Sequence, residues 1–341
     1  MRDNGPMRLV IQIPCLNEEQ TLPANLAELP RSVPGFDEVL WLVVDDGSSD
    51  GTAQVAREHG VDHVVRFTQN KGLAVAFQAG LDAALRLGAD VVVNTDADNQ
   101  YHADDIANLV GPIVEGRADF VVGTRDIAEH PEFTWAKKKL QHLGSWVVRR
   151  ASGTDVLDAT SGFRAYSRDA ALQVNVVSKF TYTLETVIQA GKSNIAVTNV
   201  PVRINPATRD SRLFTSKRQY IRRSAGTISR VYAMYEPLRV FTIPALLLGV
   251  GGFALFARYG YFVATGDRGG HVQSLIVGAV LALTALQLLM LGVIGQLLRV
   301  NRVIGERTLS RVRAIELRLA DHTGTDTEAL SKLRDSPPAA T

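Results

Sequence analysis

The sequence predicts an α/β protein with a mostly parallel β-sheet, helices on both of its faces, and a C-terminal hairpin of two transmembrane helices. Two observations carry this prediction. In residues 1–204, short apolar runs alternate with segments of helical pattern, as they do in βαβ units. Further along, two apolar segments, about 240–265 and about 272–298, are each long enough to cross a bilayer, which takes roughly 20 residues.

The predicted strands are continuous apolar runs, which indicates that both faces of the sheet are buried. In chain order they are Leu9–Ile13, Val39–Val44, Val61–Val65, Val91–Val93 and Phe120–Val122. Helical patterns lie between them, for example from Leu73 to Leu87 and from Ile106 to Val110. Ligands of such sheets bind beyond the carboxyl ends of the strands, so the loops after the first, second and fourth strands predict a site: Pro14–Glu18, Asp45–Ser49 and Asp96–Gln100.

The overall composition excludes several classes of protein. The formal net charge is only +2, and we expect no nucleic-acid partner. The single cysteine, Cys15, excludes a disulfide framework and favours a reducing compartment. The seven histidines are scattered and lack the spacing of a zinc site. Residues 1–8 are mostly polar, so we expect no signal peptide at this end.

The loop after the second predicted strand carries two adjacent aspartates, Asp45 and Asp46, in the string VVDDGSSDGT. The glycines Gly47 and Gly51 allow a tight turn there. One aspartate is enough for a turn. The second, at the ligand-binding edge of a sheet, predicts a partner such as a base edge, a ribose hydroxyl or a metal.

A second acidic pair, Asp96 and Asp98, follows the fourth predicted strand. The alternation of a strand end directs both carboxylates to one side, where each makes ionisation of the other less favourable. A divalent cation between them removes this cost. Mg²⁺ and Mn²⁺ prefer oxygen ligands and commonly take phosphate oxygens as well, and Gln100 adds a neutral oxygen on the same side.

The two apolar segments differ in their charges. The first is interrupted by Arg258 near its end, and the second contains no charge. Arginines are concentrated before and after the pair of segments: Arg218, Arg222, Arg223, Arg230 and Arg239, then Arg299, Arg302, Arg307, Arg311 and Arg313. The positive-inside rule therefore predicts that both chain ends are cytoplasmic.

Six strings, in this order, resemble family 2 glycosyltransferases of the GT-A fold, which is Rossmann-like: IPCLNEE, VVDDGSSDGT, NKGLAVAFQAGLDAAL, TDADNQY, GTRD and DATSGFRAYSRDAAL. More narrowly, they resemble the dolichyl-phosphate mannose synthase and bacterial polyprenyl-phosphate glycosyltransferase branch, over roughly residues 8–215. The resemblance implies metal-dependent transfer of a single sugar, with inversion, from a nucleotide-sugar to polyprenyl phosphate. It favours a UDP-hexose over GDP-mannose as donor.

The resemblance also implies site residues. The nucleotide-sugar would be bound by Pro14, Asn17, Glu18, Asp45, Asp46, Lys71 and Asp96. Mg²⁺ or Mn²⁺ would be held by Asp96, Asp98 and Gln100. The catalytic set would be Asp98, Arg125, Asp158 and Arg164, with the role of Asp158, as a base or as an orienting group, left open. The acceptor phosphate would meet Arg203, Arg209, Ser211 and Arg212.

This assignment divides the chain into four parts. Residues 1–204 form a cytoplasmic GT-A catalytic domain, and 205–238 form a basic, amphipathic juxtamembrane segment. Residues 239–299 hold the two transmembrane helices, and 300–341 form a cytoplasmic tail that is basic and then disordered. The expected location is the cytoplasmic membrane.

Two other functions stay open. A processive polysaccharide synthase of the same superfamily typically has a Gln-x-x-Arg-Trp motif, whereas here the nearest string, Gln219 to Arg223, lacks the tryptophan. A non-catalytic nucleotide-sugar sensor would keep the fold, but the intact acidic pairs argue against it. Small residues at helical spacing, Ser274, Gly278 and Ala282, also leave open a homo-oligomer through the transmembrane helices.

Overall fold

The computed structural model describes most of the chain and divides it into two compact units. The first unit comprises residues 1–228 and 308–341, and the second comprises residues 229–307. The described residues are 6–125, 135–176, 182–205, 225–226, 229–230, 232–266 and 272–323, without the side chains of 135–143, 318 and 320–323.

The first unit is built on one seven-stranded sheet. Its strands are β1 (Arg8–Cys15), β2 (Glu38–Asp45), β3 (His63–Arg66), β4 (Val91–Asn94), β5 (Phe120–Arg125), β6 (Arg164–Ser167) and β7 (Val197–Val202). Their order across the sheet is β3-β2-β1-β4-β6-β5-β7. Every neighbouring pair is parallel except those of β6, which runs antiparallel to β4 and β5. The mostly parallel sheet predicted from the sequence is therefore confirmed.

Helices cover both faces of this sheet. They are α1 (Leu22–Glu28), α2 (Thr52–Glu58), α3 (Leu73–Arg86), α4 (Ile106–Val114), α5 (Trp135–Ser152), α6 (Arg168–Gln173) and α7 (Tyr182–Lys192). Residues of α1, α2 and α4 share one buried cluster with Leu9, Ile11 and Ile13 of β1. On the opposite face α3 lies close to β1, because Gly80 has no side chain to collide with Gln12.

Each of the five predicted apolar runs overlaps a strand, but β6 and β7 were not predicted. The β6 strand has only four residues and carries the charged Arg164. The β7 strand contains Pro201 and is mostly half-buried, as suits its place at the edge of the sheet. Neither shows the apolar run that identifies a buried strand.

The second unit contains the two long apolar helices. They are α8 (Pro237–Ala264) and α9 (Val272–Thr323), and each is long and apolar enough to cross a membrane by length and composition. The two helices touch at glycines: a Cβ on Gly252 would lie 2.9 Å from the carbonyl oxygen of Gly278. The helix α9 extends well past the predicted membrane segment, and its residues from 308 onward belong to the first unit. The tail beyond Thr323, predicted to be disordered, lies outside the described residues.

Candidate active site

The candidate site lies at the carboxyl ends of β1, β2, β4 and β5. These strands run in the same direction, so their ends share one edge of the sheet. Pro14 is buried inside β1, and Asp45 and Arg125 are the last residues of β2 and β5. Asp96 and Asp98 follow β4 directly. The fold thus brings the predicted loops to one edge, as expected from the sequence.

The first acidic pair organises the loops around it. Asp45 is fully buried, with one carboxylate oxygen accepting from the Ser48 amide at 2.8 Å and the other 3.1 Å from Arg66 Nε. The carboxylate of Asp46 accepts from the backbone amides of Lys71 and Gly72, at 2.7 and 2.8 Å. Both side chains therefore fix the β2 loop and the start of α3 in this structure, and their contact with a nucleotide stays a prediction.

The loop after β1 is tied to the loop after β2. Asn17 adopts a positive φ of 56°, its amide donates to Ser48 Oγ at 2.9 Å, and its Oδ1 accepts from the Ser49 amide at 2.9 Å. Glu18 is buried, and its amide donates to Thr52 Oγ1 at 2.9 Å. The side chain of Lys71 is exposed at the same edge. These bonds shape a polar rim on which a nucleotide could rest.

Asp96 and Asp98 form an electrostatically strained pair. Burial, together with the nearby carboxylate of Asp98, raises the pKa of Asp96 to about 7, although Arg125 and Arg164 act in the opposite direction. Asp98 accepts a bond from the Gln100 amide at 3.2 Å, and Gln100 itself is half-exposed. A cation at this pair would offset the repulsion between the two carboxylates and favour the ionised form of Asp96.

Arg125 is held by Asp158 in a bidentate ion pair. Its Nε and Nη2 donate to the two carboxylate oxygens at 2.7 and 3.1 Å, and Nη2 also donates to Thr160 at 3.0 Å. Asp158 is fully buried. Burial alone would raise the pKa of Asp158, but the Arg125 charge and the hydrogen bonds lower it below its ordinary value. Asp158 is therefore ionised and aims the guanidinium of Arg125.

Arg164, predicted to be catalytic, is completely buried. Its guanidinium donates to the carbonyl oxygens of Ser161, Thr183 and Ala159 at 2.7 to 2.8 Å and to Thr186 Oγ1 at 2.6 Å. These bonds join the loop before β6 to the start of α7. In this structure Arg164 has no surface for a substrate, so we expect it to act by holding that loop and by its charge near Asp96.

Of the four predicted acceptor-phosphate residues, the structure describes one. Arg203 follows β7 and pairs with Asp105, with Nη2 at 2.8 Å from Oδ1 and the Arg203 amide at 2.7 Å from Oδ2. The hydrogen bonds and charge of Arg203 lower the pKa of the Asp105 carboxyl against the effect of its burial. Two residues later, the Asn205 amide donates to the Gln100 carbonyl oxygen at 2.9 Å. Arg209, Ser211 and Arg212 lie outside the described residues.

Several residues that support the acidic pair were missed by the sequence analysis. Asn25 of α1 donates to the backbone carbonyl of Asp96 at 2.8 Å. Asn94, the last residue of β4, accepts from Gln12 at 2.9 Å and donates to the Gly162 carbonyl oxygen at 2.8 Å. Tyr101 is buried against Phe163. Tyr101 is the last residue of the string TDADNQY and Asn94 directly precedes it, which was the only sequence signal for these two residues, and Asn25 gave none.

Comparison with known proteins assigns the family. The family model described as "Glycosyl transferase family 2" matches residues 10–174. The polyprenol monophosphomannose synthase of Mycolicibacterium smegmatis is 30% identical over 206 residues, which are 57% of this chain and 76% of that protein. The undecaprenyl-phosphate mannosyltransferase of Micrococcus luteus is also 30% identical over 206 residues, covering 58% of this chain and 83% of that protein. The chain belongs to glycosyltransferase family 2, and it is an enzyme of that class.

Two further comparisons extend this result. The UDP-N-acetylglucosamine–dolichyl-phosphate N-acetylglucosaminyltransferase of Methanococcus voltae is 30% identical over 213 residues, covering 56% of this chain and 83% of that protein. Among solved structures, glucosyl-3-phosphoglycerate synthase from Mycobacterium tuberculosis, in complex with Mn²⁺, UDP and glucosyl-3-phosphoglycerate, aligns with a TM-score of 0.52 at 20% identity. That alignment covers 67% of this chain and 79% of the synthase, and it confirms the GT-A-like fold.

Proposed function

We propose that the protein transfers one sugar from a nucleotide-sugar to the phosphate of a polyprenyl phosphate at the cytoplasmic membrane, with inversion at the anomeric carbon. One observation carries the proposal: Asp96 lies at the sheet edge close enough to both Asp98 and Arg125 for their charges to act on its carboxylate. Such a site suits a diphosphate leaving group. The names of the relatives from three organisms each combine a sugar with a polyprenol-type lipid, which supports the acceptor.

The donor set fits Mg²⁺ or Mn²⁺. Asp96, Asp98 and Gln100 offer carboxylate and amide oxygens, and burial together with the neighbouring carboxylate of Asp98 raises the pKa of Asp96, an effect that a bound cation would oppose. Within the residues whose side chains are described, no cluster of three or more His, Cys, Asp or Glu side chains could hold a metal alone. The diphosphate of the donor would therefore complete the ligand set, and the bound cation would stabilise the charge of the leaving group.

The protein's own residues would divide the remaining work. Arg125, aimed by Asp158, would face the phosphates and stabilise the charge that develops on the leaving diphosphate. The acceptor phosphate is mostly a dianion near neutral pH, since its second pKa is about 6, and it needs no general base. We therefore propose that Asp158 orients Arg125 and takes no proton. Arg203, Arg209, Ser211 and Arg212 would hold the acceptor phosphate in line.

The proposal includes the donor and the location. We propose a UDP-hexose, ahead of GDP-mannose, as the donor. Both donors belong in the test, because two of the named relatives are mannose enzymes and the name of the third contains UDP-N-acetylglucosamine. The two apolar helices would span the membrane, with the catalytic domain and both chain ends in the cytoplasm.

A radiolabel transfer assay tests this function. Purified protein in detergent is incubated with polyprenyl phosphate, Mg²⁺ or Mn²⁺, and a panel of labelled UDP- and GDP-sugars. We expect label in the organic phase with one donor, and its loss with EDTA. A product that dissolves in water and grows in length would instead indicate a polysaccharide synthase. Donor binding without any transfer would indicate a sensor.

A further inference from the structure

Tyr101 is a buried aromatic residue that joins two of the predicted site loops. It directly follows Gln100, and only 4% of it is exposed. Its ring stacks on Phe163, with ring centroids 5.0 Å apart and planes inclined by 18°. Its hydroxyl accepts a hydrogen bond from the backbone amide of Gly162 at 3.1 Å. The residue thus ties the loop of the acidic pair to the loop before β6 through both its ring and its oxygen.

Gly162 is the point at which these contacts reach the acidic pair. A Cβ at this position would lie 2.6 Å from Asp96 Oδ2 and 2.7 Å from Oδ1, so the carboxylate rests directly against the glycine backbone. Gly162 is held on both sides: its carbonyl oxygen accepts from Asn94 Nδ2 at 2.8 Å, and its amide donates to Tyr101. The two residues that hold it lie on either side of Asp96 in the sequence. The position of Gly162 therefore limits where the Asp96 carboxylate can be.

We infer that Tyr101 is a positioning residue: its hydroxyl fixes Gly162, and Gly162 in turn sets the orientation in which Asp96 presents its carboxylate to a divalent cation. This inference rests on the proposed function, because it takes the cation and the diphosphate donor from there. The hydroxyl of Tyr101, and not its ring, makes this contribution to cation binding. Removal of the oxygen leaves the ring in place to stack on Phe163. Residues that orient a metal ligand without contacting the metal themselves commonly contribute about 10- to 100-fold to metal affinity.

The test compares two conservative variants of buried tyrosines. Tyr101→Phe removes the acceptor of the Gly162 amide and keeps the ring. Tyr166→Phe is the matched control, because Tyr166 of β6 is equally buried and stacks on Phe120 at 4.6 Å. Full-length protein of each kind is titrated with Mn²⁺ in the presence of UDP, and separately GDP, and free Mn²⁺ is followed by electron paramagnetic resonance. Thermal unfolding of each variant is recorded in parallel.

We expect Tyr101→Phe to raise the Mn²⁺ dissociation constant about 10-fold and Tyr166→Phe to leave it within about two-fold. A dissociation constant in Tyr101→Phe within about two-fold of the wild type would overturn the inference. Equal losses of Mn²⁺ affinity in both variants would also overturn it, because they would reflect general loosening of the core.

Transfer activity is measured separately: wild-type protein that binds Mn²⁺ but transfers no sugar contradicts the proposed function and leaves the binding comparison valid. If the wild-type protein binds no Mn²⁺ with either diphosphate, both the inference about Tyr101 and the proposed function are overturned.

Discussion

At the scale of single residues, the chemistry depends most on Asp98. It is half-exposed beside Asp96, and replacing it with asparagine removes a negative charge where a cation and a diphosphate would meet. We expect Asp98→Asn to lower transfer by about 100-fold or more, as is typical when a charge-stabilising group is removed. Initial rates in the radiolabel assay measure the effect. The control is Asp104→Asn, because the Asp104 side chain is 80% exposed and only distantly paired with Arg203. Normal turnover in Asp98→Asn would refute the metal assignment.

The raised pKa of Asp96 predicts how metal binding depends on pH. Burial and the Asp98 carboxylate raise this pKa from the ordinary 3.8 to about 7. Only the ionised carboxylate binds a cation, so Mn²⁺ affinity should rise up to about ten-fold per pH unit below 7 and level off above it. Mn²⁺ titrations between about pH 5.5 and 8.5 measure this slope. Asp96→Asn should bind weakly at every pH, without the slope. A flat profile in the wild type would contradict the raised pKa.

The sequence predicted that the loops after β1, β2 and β4 lie at one edge of the sheet, but not what each side chain contacts. Asp45 and Arg164 illustrate the difference. Their positions follow from the strand pattern and the resemblance, yet both are fully buried, and their charges are engaged by Arg66 and by backbone carbonyl oxygens. A charged residue in a loop is equally compatible with binding a ligand and with holding a neighbouring loop. The contacts that the side chain makes in the folded protein distinguish these two roles.

At the scale of elements, a strand could be predicted from the sequence only where it contains an apolar run. The strands β1, β2 and β4 are buried along nearly their whole length, so their sequences are almost entirely apolar. The strand β6 instead reads Arg-Ala-Tyr-Ser, and its burial depends on partners that are distant in sequence. The length of α9 was also missed, because the prediction followed the apolar segment and the polar turns beyond it continue the same helix.

The junction between β2 and α3 depends on one carboxylate. Asp46 accepts from the amides of Lys71 and Gly72, one on each oxygen, and only 3% of it is exposed. Asp46→Asn retains one acceptor and places an NH₂ group against the other amide. We expect it to lower the free energy of unfolding by about 1–3 kcal/mol, the usual cost of a buried donor left unsatisfied. Denaturant unfolding measures this loss. If the Asp46 and Asp104 variants unfold alike, the carboxylate does not hold the junction.

At the scale of the whole molecule, one continuous helix belongs to both compact units. The helix α9 begins in the second unit, and its residues from 308 onward belong to the first. In the first unit, Arg313 of α9 donates to the carbonyl oxygen of Val174 at 3.3 Å and lies 3.5 Å from Asp82 of α3. The C-terminal end of α9 is therefore part of the catalytic unit. If α9 crosses the membrane, that end must lie on the same side as the active site.

The course of α9 implies a membrane topology that labelling can test. The only cysteine, Cys15, is buried and its thiol has a raised pKa, so the wild-type protein should resist maleimides and serve as the unlabelled control. Thr265, at the end of α8, and Asn301 of α9 are both exposed and lie at opposite ends of the predicted spans. A membrane-impermeant maleimide should label Thr265→Cys in intact cells but label Asn301→Cys only after permeabilisation. Labelling of Asn301→Cys in intact cells would reverse the orientation and place the catalytic unit outside.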